Sequence, residues 1–187
     1  MGAGDLSAAL WQERRELELL LFKLETQRLH IKAGNLQWLS FTASEVENVL
    51  DRLRFEALAR SVESAAVAAE WGLPAQATLV ELIAGAPAGS WVEILREHLA
   101  GLRDLLGQLG EAARAGEQLL RNLNLPASSG ASPGGAAGTG PGTGPGTDTA
   151  QILEQLTTAA NIERALIILQ RTPQPLLAQY LDGEQGQ

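Results

Sequence analysis

Leucine recurs along this chain at the spacing of a helix surface, and that recurrence limits the fold more than any other feature. Leu6, Leu10, Leu17, Leu20, Leu21, Leu24 and Ile31 stand mostly three, four or seven apart, which stacks them on one helical face. Gly34 suits a left-handed cap at the end of that helix, and Asn35 suits a cap for the next. Leu36, Leu39, Ala43, Val46, Leu50, Leu53 and Ala57 then alternate strictly by three and four, a coiled-coil type of seam. So short a connection predicts an antiparallel hairpin of two long helices, each burying its stripe against the other. Gly72 and Pro74 stop the second helix, and Thr78 with Glu81 three residues on forms a capping box for a short one ending near Gly85. Ser90 is placed to cap the last long helix. There Trp91, Leu95, His98, Leu102, Leu105, Leu109, Ala112, Gly116, Leu119 and Leu123 make the most regular seam in the chain.

Composition agrees with helices throughout. The chain has 187 residues, 45% of them hydrophobic but only 4% aromatic. Its apolar content is mostly Leu and Ala, which favour helix over strand. The expected class is all-α: an antiparallel bundle over residues 1–125, a Gly/Pro/Ser/Thr linker over 126–148, and a C-terminal helical segment over 149–187. The linker composition offers nothing to bury and reads as a disordered tether. Its glycines lack the flanking strand, the lysine and the spacing of a phosphate loop. Beyond it, Ile152, Leu156, Ile162, Ala165, Leu166 and Leu169 resume helical periodicity, and Pro173 and Pro175 end that helix before the short apolar run "PLLAQYL".

Several functions are excluded by what the letters lack. A formal charge of -8 argues against nucleic acid, which needs clustered Lys and Arg. With no Cys there is no disulfide, thiolate nucleophile or Cys-ligated metal. "MGAGDLSAALWQERR" has no basic start followed by an apolar core, so no secretory signal is expected, and no apolar run is long enough to insert in a membrane. The expected location is the cytoplasm. His30 and His98 lack a Glu three residues before them, so the carboxylate–histidine pattern of metal bundles is missing. Both read as structural, and no cofactor, metal or catalytic residue is expected. Trp11, Trp38, Trp71 and Trp91 read as ring caps at helix ends. Leu19, Leu29, Val49, Leu58, Leu99, Leu106 and Leu120 lie off the seams and widen the apolar stripes, which invites a further helix from this chain, a second copy or a client.

The run "LWQERRELELLLFKLETQRLHIKAGNLQWLSFTASEVENVLDRLR", the junction "EWGLPAQATLVELI" and the helix "WVEILREHLAGLRDLLGQLGEAARAGEQLL" together resemble the FlgN-type flagellar export chaperones. The similarity covers Leu10 to Leu123 and lies in the succession of elements more than in any one motif. The resemblance implies a chaperone, without enzymatic activity, that binds the C-terminal amphipathic helices of hook-filament junction proteins and delivers them to the export gate of the flagellar type III apparatus. Leu102, Leu105, Leu109, Leu119 and Leu123 are the expected client-binding stripe. Tyr180 is the one candidate for the tyrosine with which family members contact the gate. A homodimer in the absence of client is also envisaged. The alternative is a structural or regulatory coiled-coil protein that self-associates through the same apolar faces.

Overall fold

The computed structural model describes residues 2–124, 145–170 and 174–183. Its elements are α1 (Ala3–Lys32), a 3-10 turn (Leu36–Trp38), α2 (Leu39–Glu70), α3 (Leu79–Gly85), α4 (Trp91–Asn124), α5 (Pro145–Gln170) and α6 (Gln174–Asp182). No strand occurs among the described residues, so the all-α expectation holds. Most of the expected linker, residues 126–144, lies outside the described residues, and α5 begins at Pro145 within the remainder.

Local chemistry sets the breaks where the letters place them. Gly34 has φ 73° and Gly72 φ 72°, the left-handed region that a side chain resists. The Asn35 amide returns to the His30 carbonyl at 2.9 Å, and Leu73 to Ala68 at 2.7 Å, closing both helix ends. Asn35 makes no side-chain cap, contrary to expectation: a 3-10 turn follows it and supplies the first bonds of α2 through the backbone. The Thr78–Glu81 capping box is formed in both directions. Pro175 sits in the first turn of α6, where a missing N–H costs nothing, so the proline starts a helix as well as ending one.

Three long helices bury their seams against one another. Lys23 meets Glu45 and Arg60 meets Glu13, so α1 and α2 run antiparallel. Ser7 meets His98, and Gly101 lies beside Arg14, so α4 runs parallel to α1. α5 packs on both α2 and α4, which makes it the fourth member of a ring ordered α1, α2, α5, α4. Gly116 is the point of close approach to α5, where an added methyl would lie 3.4 Å from Leu169. The short α3 and α6 pack on each other and on α4. Leu6, Leu10, Leu17, Leu20, Leu39, Leu95, Leu102, Leu109 and Leu120 are fully buried in one continuous core. No helix among the described residues is long and apolar enough to cross a membrane.

Candidate functional site

Polar residues occupy seam positions at one level of the bundle. Glu13 follows Leu6 and Leu10 on the buried face of α1, and Arg60 and Ser64 follow Leu53 on that of α2. Arg60 Nε donates to Glu13 Oε2 at 2.6 Å, and both side chains are almost wholly buried. Burial pushes the Glu13 carboxyl above its usual range, and the Arg60 charge and hydrogen bond oppose that shift. α6 brings Tyr180 to the same place. Its ring lies 4.0 Å from the Arg60 guanidinium carbon, and its hydroxyl pairs with Ser64 Oγ at 2.8 Å. Burial raises the Tyr180 phenol above its ordinary value, against the pull of Ser64 and Arg60.

A groove of ≈ 1000 Å³ opens beside these residues, with Leu17, Leu53, Leu58, Val80 and Leu177 among its walls. Leu177 and Leu181 anchor α6 along it, and Asp182 pairs with Arg103 of α4. Gly183, at φ 75°, ends the helix, its amide returning to the Gln179 carbonyl at 2.8 Å. The groove joins an apolar wall to a charged floor. Among the described residues no group of three or more His, Asp or Glu is placed to hold a metal.

The residues expected to form the client stripe have unequal surroundings. Leu102, Leu105 and Leu109 lie in the core, Leu119 is half-buried against it, and Leu123 is 43% exposed. Tyr180 is not brought to them; it belongs to the Glu13–Arg60–Ser64 cluster. His98 is buried within α4's seam, with Nε2 2.9 Å from Ser7 Oγ and its ring edge-on to Trp11 at 5.3 Å between centroids. Trp11 therefore packs in the third turn of α1, away from a helix end. Val49, Leu99 and Leu120 are buried, whereas Leu29 and Leu58 face solvent. Sequence reasoning missed Glu13, Arg60 and Ser64, and the signal was present. Each interrupts an apolar seam, and a charge at a seam position needs a partner. Gln27 and Thr42 repeat the pattern about four turns along, 3.5 Å apart.

An apolar surface also lies outside the core. All three phenylalanines are exposed: Phe22 at 61%, Phe41 at 63% and Phe55 at 72%. Phe41, Phe55 and Val62 share the solvent face of α2 at multiples of seven.

The model of the family described as FlgN protein matches residues 1–124, the span from α1 through α4. No curated protein and no solved structure matches the chain.

Proposed function

This chain belongs to the FlgN family of flagellar export chaperones, and from that membership we propose that it binds the C-terminal amphipathic helices of hook-filament junction proteins in the cytoplasm and hands them to the export gate. The observation that carries this reading is the family match across the whole of α1 to α4. Binding needs no catalysis: an apolar helix face laid in an apolar groove gains about 25 cal/mol for each Å² buried. Leu119 and Leu123 form the accessible end of the client stripe. Leu102, Leu105 and Leu109 continue it inward, and a client reaches them only by taking the place of a helix that now covers them. Tyr180 is the contact with the gate.

Titration calorimetry against peptides from the C-terminal helices of the two junction proteins of the source organism tests this reading. Affinity of about micromolar or better, with a negative heat-capacity change, is the expected result. The exposed Phe22, Phe41 and Phe55 favour a second reading, self-association through the outer face of the α1–α2 hairpin. No peptide binding, together with a dimer that Phe55→Lys dissolves, would transfer the function to that reading.

A further inference from the structure

α6, which carries Tyr180, lies in the groove without filling it. The nine-residue helix seats Leu177 and Leu181, and ≈ 1000 Å³ remains between it and the walls from Leu17, Leu53, Leu58 and Val80. Much of what holds α6 is polar: the Tyr180–Ser64 hydroxyl pair, the Tyr180 ring on Arg60, and Asp182 on Arg103 at an exposed position. Exposed ion pairs are screened by salt and yield readily to a competitor. α5, packed on α2 and α4, ends at Gln170, and α6 begins at Gln174. The docked α5 therefore keeps α6 at high effective concentration near its groove, so weak contacts suffice to seat it and a partner must outcompete a tethered rival.

We infer that α6 is a displaceable internal stand-in for a partner helix, and that the partner carries what α6 shows the groove: two apolar residues four apart and an acidic residue directly after the second, as in Leu177, Leu181 and Asp182. The partner's apolar pair takes the Leu177 and Leu181 seats, and its carboxylate takes Arg103. Its source is the client of the chaperone reading, on which this inference rests. Expulsion of α6 withdraws Tyr180 from Ser64 and Arg60 of α2 and from the neighbourhood of Glu13 of α1. The one tyrosine of the chain, half-buried while α6 is seated, thereby becomes fully exposed only when the groove is loaded.

The full-length protein tests this, with the junction-protein peptides as probes, made with Phe in place of any Tyr. Asp182→Arg repels α6 from Arg103 and should tighten peptide binding about fivefold or more, because the competing closed state is depopulated. The double variant Asp182→Arg with Arg103→Asp restores the α6 pair with its charges exchanged and removes the seat of the partner's carboxylate, so it should bind the peptide more weakly than wild type. Tyr180 ultraviolet titration reads the position of α6 directly: in the saturated complex its midpoint should fall toward about 10, the value of a solvated phenol. Peptide binding with an unmoved Tyr180 midpoint, or with no gain from Asp182→Arg, overturns the displacement and leaves the chaperone reading standing. Absence of binding by wild type and Asp182→Arg alike overturns both.

Discussion

Arg60 and Glu13 show how one polar pair is carried through an apolar seam. Each charge alone would be costly to bury, and the 2.6 Å hydrogen bond between them is what makes the burial tolerable. Arg60→Met should therefore destabilise the fold by about 3–5 kcal/mol, because the Glu13 carboxylate loses its partner inside the bundle. Glu13→Leu combined with Arg60→Met should recover most of that loss, since apolar residues of similar size often replace a buried pair at little net cost. Urea midpoints of wild type, the single variant and the double variant check both statements. A single variant as stable as wild type would mean that water reaches Glu13. Tyr180 depends on the same pair: with Met at position 60 the ring loses the cation beneath it. The seam interruptions at positions 13 and 60 can be read from the letters, but their pairing cannot. They stand 47 residues apart and meet only because the hairpin brings them level.

Helices α1, α2 and α4 and their ends depend on local chemistry, which is why reading along the chain finds them. Hydrogen bonds that close a helix span three to five residues, and Gly34, Gly72 and the Thr78 box act within that range. Thr78→Ala should cost about 1 kcal/mol, the usual worth of an N-cap, and should act on α3 and its neighbours. Thr78→Ser should restore most of it, and thermal unfolding of the two variants measures the difference. An equal loss from both would point to the Thr78 methyl rather than the cap. The seam of α4 is equally regular in sequence, yet its use is not local. Leu102, Leu105 and Leu109 pack inward while Leu123 on the same stripe reaches solvent, because the surrounding elements cover the helix unevenly. A stripe of period 3.5 states that something covers it, and does not state what.

The molecule as a whole joins its first and last long helices of the family-matched region through His98, and this joint makes its stability depend on pH. Burial lowers the His98 pKa below the ordinary 6.5, with the Arg14 charge adding to the shift and Glu97 opposing it. The unfolded chain takes up that proton first, so the His98 contribution is present above the unfolded value and is lost as pH falls through and below it. Urea unfolding at about pH 7.5 and about pH 5.5 should show a loss that His98→Leu reduces, the difference between the two proteins isolating this one group from the carboxylates. An identical loss in the variant would place the proton elsewhere. By itself the sequence determined the all-α class, the long helices α1, α2 and α4, the breaks at Gly34 and Gly72, the Thr78 cap and the likeness to flagellar chaperones, since these rest on periodicity, local hydrogen bonding and order along the chain. Only the tertiary structure decided that α5 closes the ring beside α2 and α4, that every phenylalanine faces outward, and that Tyr180 lies over Arg60 against Ser64. Those outcomes depend on which apolar faces meet first and bury most, a competition among segments far apart in sequence that no spacing of letters along one helix can express.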